Sequence, residues 1–430
     1  MGSKNTQEKV TVIVGGTVID PSSNLHKQTN IFIEDGMISE ISDRSPVNSD
    51  GVLNAEGLCI APGFIDLHTH LRDPGFEYKE DIESGSRAAL AGGFTTIVCM
   101  PNTNPVNDCA EVTKGIIRRA KDVGLINILP VGAMTVGLKG ERIPDYDAMI
   151  DAGIVAISDD GSCIQDSSVA REVFSIAAEK EILITSHPEI HSLSKGGIIN
   201  DGEYAKINAI PGIPRSAENE AIARDIELAR DTGARLHLGH VSTKEGIAYV
   251  RKAKADSLHV TCEVTPHHLL LTEYDVDEYA ANAKMNPPLR TDEDRIALIR
   301  GLQDGTVDAI ATDHAPHSPD EKRDILTSPF GIIGMETAFP VCMELVEDEY
   351  LDIDRLIELF TISPSKIFHL NRGTISVGAI ADLVIFQKDS PSRIESSKFQ
   401  SKSRNTPFDG WEVSAEIKSV IVGGNMIAAS

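Results

Sequence analysis

The sequence predicts a closed parallel (β/α)8 TIM barrel, accompanied by a small discontinuous β-sandwich domain built from both ends of the chain. Two observations predict the barrel: eight short apolar runs recur through the middle of the 430 residues, and a stretch of helical periodicity follows each run. A third predicts the accessory domain, since both ends alternate apolar residues with turn signals instead.

The runs span 59–67, 95–100, 126–131, 154–158, 182–186, 235–239, 259–264 and 307–312. Between them lie helix-like segments such as 167–180 and 217–231, in which apolar residues return every three or four positions. An open doubly wound sheet is the rival arrangement, but it normally carries a glycine-rich phosphate loop after its first strand. Asp66-Leu-His-Thr-His70 stands there instead.

At the ends, 10–58 alternates apolar residues with turns such as Glu34-Asp-Gly36, and 378–386 and 417–426 read the same way. Neither end has enough strands to bury a core alone, so the two must meet in space. The expected division is 1–60 for the N-terminal part of the β-domain, 61–372 for the barrel and 373–430 for the C-terminal part. The Ser/Lys-rich stretch 390–405 reads as an exposed loop.

Hydrophobic residues make up 41% and charged residues 24%, which is enough apolar material for a large core. The formal charge is −25, so nucleic acid and anionic membrane surfaces are excluded as partners by repulsion. An anionic substrate therefore needs a local cationic pocket. Six cysteines are widely spread with no CxxC pair, which argues for reduced, buried thiols and against a disulfide framework or a thiolate metal site. Residues 1–9 are polar, and no run of about eighteen apolar residues occurs, so a cytoplasmic enzyme is expected.

Strand residues alternate faces, so His68 and His70, two apart at the end of the first run, point the same way into the barrel mouth. His187 follows the fifth run, His240 the sixth and Asp313 the eighth, while Asp159 and Asp160 lie just beyond the fourth. Adjacent residues alternate in direction, so only one of that aspartate pair faces the barrel axis. Strand ends of such a barrel converge on its C-terminal rim. Six nitrogen and oxygen ligands without thiolate suit zinc or a related divalent ion, and they suffice for two ions sharing one bridging carboxylate. Coordination lowers the pKa of water toward about 7, supplying a nucleophile at neutral pH.

Several motifs accompany these residues: Pro62-Gly-Phe-Ile-Asp-Leu-His-Thr-His-Leu-Arg-Asp-Pro-Gly75, Met100-Pro-Asn-Thr103, Thr261-Cys-Glu-Val-Thr-Pro-His-His268, Lys284-Met-Asn-Pro-Pro-Leu-Arg290, Ala311-Thr-Asp-His-Ala-Pro-His317 and Pro329-Phe-Gly-Ile-Ile-Gly334. Together they resemble, over nearly the whole chain, the amidohydrolase superfamily and within it the class I dihydroorotases, which open the cyclic amide dihydroorotate. The resemblance implies two zinc ions, one held by His68, His70 and Asp313, the other by His187 and His240, with Asp160 as the bridge. It implies that Asp313 also acts as the general base and acid, taking a proton during attack on the ring carbonyl and delivering one to the departing nitrogen. Many relatives bridge their metals with a carboxylated lysine, but no lysine occurs from Val155 to Asp166, and an aspartate fits instead.

The same resemblance places Arg72, Asn102 and His317 around the substrate carboxylate, with Arg72 making a paired, charge-assisted contact. Asn286 and the backbone at Phe330 and Gly331 are implied to bond the ring amides, and His70 also faces the substrate. His267 and His268 are assigned to neither metal. The sequence departs from the family at Pro188, where cysteine is common, and at Ile190, which replaces an acid; this puts support of the second ion in question. A hydantoinase or allantoinase would share the metal ligands but typically carries the lysine and lacks the carboxylate clamp. An inactive scaffold for aspartate carbamoyltransferase would have lost ligands that are all present here. A homodimer, and aspartate carbamoyltransferase as a partner of the active enzyme, are further implications of the resemblance.

Overall fold

The computed structural model describes residues 7–46 and 50–427, so the polar start at 1–6 lies outside the described residues. Eight parallel strands form the barrel: β1 Phe64–Thr69, β2 Phe94–Cys99, β3 Asn127–Pro130 continuing as Gly132–Ala133, β4 Ala156–Ser158, β5 Leu183–Ser186, β6 Leu236–Leu238, β7 Val260–Val264 and β8 Ala309–Ile310. The order β1-β2-β3 and β3-β4-β5-β6-β7-β8 is continuous through β3. A parallel bridge between Thr69 and His314, with the His70 amide donating to the His314 carbonyl at 2.9 Å, closes the ring.

A helix follows each strand: α1 Ile82–Ala91, α2 Ala110–Val123, α3 Tyr146–Ala152, α4 Ser167–Glu179, α5 Arg215–Thr232, α6 Lys244–Ala255, α7 Asp292–Asp304 and α8 Ile353–Phe360. Their starts are set by side-chain caps of the kind the sequence advertises. Asp81 and Ser84 form a reciprocal capping box on α1, Asp166 caps α4, and Thr291 and Asp294 box α7. Glycines in left-handed conformation end α2, α3, α5 and α7. Among the described residues no helix is long and apolar enough to cross a membrane.

The predicted run 59–67 divides into two strands. Cys59–Pro62 pairs with Leu383–Gln387 and Thr17–Asp20 in the accessory sheet, and the barrel begins only at Phe64. The crossover is Gly63, where an added Cβ would lie 2.3 Å from the Thr95 side chain, so the chain can pass from sheet to barrel only without one. That accessory sheet has seven strands in the order Gln7–Lys9, Asn425–Ile427, Glu416–Val422, Leu383–Gln387, Cys59–Pro62, Thr17–Asp20 and Leu25–Gln28. A second, four-stranded sheet of Met37–Ser42, Asn30–Glu34, Val12–Val14 and Val52–Asn54 shares a core with it through Ile13, Ile31, Ile60, Leu383 and Ile421. The Asp35-Gly36 turn has φ of 49° and 78°, the geometry that a two-residue hairpin demands.

The stretch 390–405 is only partly the exposed loop that its composition suggested: 390–400 is mostly exposed or half-buried, but its end turns inward at 401–405. Ser401, Ser403 and Asn405 are buried, and each meets a polar group of the barrel mouth: Ser401 binds Glu80, Ser403 donates to the Lys79 carbonyl at 2.9 Å, and Asn405 bonds Ala315, Gly331 and His317. Polar residues here satisfy buried partners instead of facing water. All six cysteines are free, and five of them are buried.

Beneath the site, Phe64 at the start of β1 packs against Phe94, Phe339 and Phe360 with ring centroids 4.8–5.9 Å apart. Phe64→Ala should therefore cost about 3–5 kcal/mol and lower the Tm by several degrees. Calorimetry of the variant checks this, and an unchanged Tm would contradict the packing.

Candidate active site

The strand ends bring the predicted ligands to one point. His68 lies within β1 and His70 just past it, Asp160 two residues beyond β4, His187 immediately after β5, His240 two residues beyond β6 and Asp313 three beyond β8. All six are buried. The Asp160 Oδ1 lies 3.2 Å from His68 Nε2, 3.6 Å from His187 Nδ1 and 3.8 Å from His240 Nε2. Its Oδ2 lies 3.5 Å from His70 Nε2. Asp313 Oδ1 sits 3.0 Å from His70 Nε2 and 3.7 Å from His68 Nε2. Asp159 points elsewhere and accepts from the Thr135 amide at 2.9 Å and from its hydroxyl. The alternation of adjacent residues thus resolves the aspartate pair in favour of Asp160.

Two sets of three side chains present donor atoms within 4.8 Å of one another, His68 with His70 and Asp160, and Asp160 with His187 and His240. Either set could hold a metal ion, and Asp160 belongs to both. The residues fit such ions on independent grounds. His68 Nε2 and Asp160 Oδ1 are buried and make no hydrogen bond among the described residues, an expensive state for polar atoms unless a ligand satisfies them; the His240 nitrogen that faces Asp160 is Nε2, which meets His187 Nδ1 at 2.9 Å.

The other face of each ring explains which nitrogen points inward. His68 Nδ1 donates to Glu263 Oε1 at 2.8 Å, and the second Glu263 oxygen meets His237 Nε2 at 3.1 Å. His70 Nδ1 donates to Asn102 Oδ1 at 2.9 Å, and His187 Nε2 donates to Glu189 Oε2 at 3.1 Å. Each acceptor fixes one tautomer and leaves the opposite lone pair facing the cluster. Burial alone pushes His68 and His187 down, yet Asp160 with Glu263 and Asp313 around the first, and Asp160 with Glu189 around the second, carries both imidazoles well above their ordinary pKa. Burial likewise pushes the Asp160 and Asp313 carboxyls up, but the surrounding histidines hold both well below the usual range. Charges this concentrated, in so little water, are a feature of functional sites.

A cavity of about 250 Å³ opens above the cluster, lined by every predicted site residue except His68, and by Gly161 and Ala315. Arg72 enters it with a left-handed backbone (φ 61°), as do His240 (34°) and Asp313 (48°), a strain that persists only where surrounding contacts impose it. The alternative partners of Arg72 are occupied elsewhere, since Asp73 and Glu77 both pair with Arg119. Among the described residues Arg72 forms no ion pair; its Nε donates to the Pro316 carbonyl at 3.2 Å, and burial lowers its pKa from the ordinary value. The His317 imidazole is pushed down to about 3 by burial and by Arg72, Lys79 and Lys322, so it is neutral. Its Nε2 donates to the Phe330 carbonyl at 2.8 Å, and its Nδ1 accepts from Lys79 at 3.3 Å.

Some predicted substrate contacts are already engaged. Asn102 lines the cavity but spends its amide on His70 and, at 3.4 Å, on Asp160. The Gly331 amide donates to the Lys284 carbonyl and its carbonyl accepts from Asn405. Asn286 donates to Glu189 Oε2 at 2.9 Å. His268 uses both nitrogens on Thr265 and the Pro287 carbonyl, which makes it a brace for the Asn286 loop. His267 is buried in neither metal set.

A family model described as dihydro-orotase-like matches residues 57–246. The chain is 43% identical over 419 residues to the dihydroorotase of Geobacter metallireducens, covering 97% of this chain and 99% of that one. It is 44% identical over 416 residues to that of Aquifex aeolicus, covering 97% and 98%. The chain belongs to the dihydroorotase family. Among solved structures, L-hydantoinase from Arthrobacter aurescens matches with a TM-score of 0.88 at 26% identity, covering 98% of this chain and 96% of that one. Dihydropyrimidinase from Brevibacillus agri shares the fold, with a TM-score of 0.82 at 22% identity over 98% of this chain and 95% of that one.

Within this dihydroorotase-family site, sequence reasoning missed Glu263, Glu189, Lys79 and Asn405. Glu263 carried a usable signal, being an acid between Cys262 and Val264 in a mostly buried strand, where a carboxylate must find a partner. Because Asp160 belongs to both donor sets, Asp160→Ala should strip metal from both, whereas His187→Ala should strip only one. Elemental analysis of the purified variants checks this, and equal metal content in the two would contradict a shared carboxylate.

Proposed function

We propose that this chain is a dihydroorotase acting through two divalent ions, zinc by the chemistry of its donors, and interconverting dihydroorotate and N-carbamoyl-L-aspartate in pyrimidine biosynthesis. One observation carries the reading: a buried His/Asp cluster opens into the same cavity as an arginine that has no carboxylate partner among the described residues. The residues that would hold the ions are His68, His70 and Asp313 on one side and His187 and His240 on the other, with Asp160 between them. Such ions, when bound, would supply a water of near-neutral pKa and a Lewis acid for the ring carbonyl.

Arg72 receives the substrate carboxylate, because a guanidinium without a carboxylate partner among the described residues, in a chain of charge −25, is the local attraction that an anion requires. His317, neutral and tied to the Phe330 carbonyl, sets the wall of that subsite. Asp313 is ionised and buried beside His70, so it can take a proton from the attacking water and pass it to the amide nitrogen as the ring opens. The carboxylate subsite favours dihydroorotate over the uncharged rings of hydantoin-type substrates, and the higher identity to dihydroorotases agrees. A scaffold without activity would have no use for a complete ligand set.

The division at 1–60, 61–372 and 373–430 belongs to the same proposal, supported by sheet pairing between the two ends. So do a cytoplasmic location, which rests on the polar start and the lack of a long apolar run, and a homodimer and aspartate carbamoyltransferase as a partner, which rest on the family resemblance; light scattering with and without the transferase tests the two associations.

Arg72→Met is expected to raise KM for dihydroorotate about ten- to a hundredfold with kcat nearly unchanged, since the lost contact is uniform binding. An unchanged KM would exclude the clamp. Asp313→Ala should lower kcat by at least about a hundredfold while the histidines keep metal bound; near-normal turnover would exclude proton transfer by this residue.

A further inference from the structure

Glu189 joins the two halves of the site. It lies two residues beyond His187 in the loop after β5, is 9% exposed, and offers one oxygen, Oε2, to both His187 Nε2 at 3.1 Å and Asn286 Nδ2 at 2.9 Å. A third group, His191 Nε2, stands 3.8 Å away and is half in solvent. The loop carrying Glu189 is held from outside, by the Gln165 amide on the Glu189 carbonyl at 3.0 Å and by the Ile190 amide on the Ala217 carbonyl at 2.9 Å. The Asn286 loop is held independently by His268 on the Pro287 carbonyl at 3.0 Å. Two separately anchored loops therefore meet on a single carboxylate oxygen.

We propose that Glu189 is a positioning residue that couples the second metal site to substrate recognition, holding the His187 ring for the ion and the Asn286 amide for the substrate ring through the same oxygen. This rests on the proposed roles of His187 and Asn286. His187 can present Nδ1 to an ion only while Nε2 carries its proton, and Glu189 is the acceptor that keeps it there. Asn286 Nδ2 carries two hydrogens, so one can stay on Glu189 while the other is held toward the cavity that the residue lines. The carboxylate also supplies the support that Pro188 and Ile190, both unable to accept a side-chain hydrogen bond, cannot provide. Glu263 performs only the first of these tasks for His68, since its other oxygen goes to His237 and not to a group lining the cavity.

The test is Glu189→Gln, which keeps shape and removes charge, beside Asn286→Ala and the double variant. Zinc affinity is measured on metal-free protein by competition with a chromogenic chelator, and KM for dihydroorotate at saturating zinc. Glu189→Gln is expected to weaken the second ion by about ten- to a hundredfold and leave the first unchanged. It should also raise KM, and the KM increases of the two single variants should not multiply in the double variant, because both remove one junction. Two ions bound with wild-type affinity, or KM effects that multiply, would overturn the coupling while leaving the dihydroorotase reading intact. A wild-type protein that bound no zinc and did not open dihydroorotate would instead remove the reading on which it rests.

Discussion

Asp160 brings a carboxylate into a place almost without water, and four imidazoles close around it at 3.2–3.8 Å. In so low a dielectric an anion is tolerable only if opposite charge neutralises it, and the same holds for each cation-accepting ring. The cluster is consequently a demand that the rest of the fold must meet. The barrel answers by delivering β1, β4, β5, β6 and β8 to one rim, so that residues separated by 245 or fewer positions become neighbours. Outer carboxylates and amides, Glu263, Glu189 and Asn102, then hold the rings of His68, His187 and His70 so that the inward nitrogen of each has a lone pair to offer.

The barrel and its rim were legible because both rest on periodicity. A parallel strand buried on two faces reads as a short apolar run, and a polar residue at its end reads as a site. Where the physics gives no periodic signature the reading failed. Cys59–Pro62 and Phe64–Thr69 are both wholly buried and apolar on either side of Gly63, so hydropathy merges them, and only the close approach at Gly63 separates one sheet from the other. Composition misled at 401–405 for a related reason: serine and asparagine are common in exposed loops, yet Ser401 and Asn405 are buried there, where Ser401 bonds Glu80 and Asn405 pairs the backbone at Ala315 and Gly331.

The candidate site shows the same boundary. Histidines and aspartates at strand ends announce themselves by residue type, and all six converge. Residues that orient them do not, because a glutamate in a loop after a histidine has many ordinary uses. Glu189 is distinguishable only once Asn286, nearly a hundred positions away, is seen on the same oxygen. The accessory sheets add no residue to the cavity wall, although the segment 401–405 reaches across from that end of the chain to brace His317 and Gly331.

The central claim is that one carboxylate serves two ions beneath a cavity that selects an anionic ring. The most direct measurement is an anomalous-difference map from crystals grown with zinc and soaked with dihydroorotate. The account requires two peaks, each within bonding distance of Asp160, and ligand density with its carboxylate on Arg72. A map with no peak among the four histidines, or with the ligand bound away from them, would contradict it.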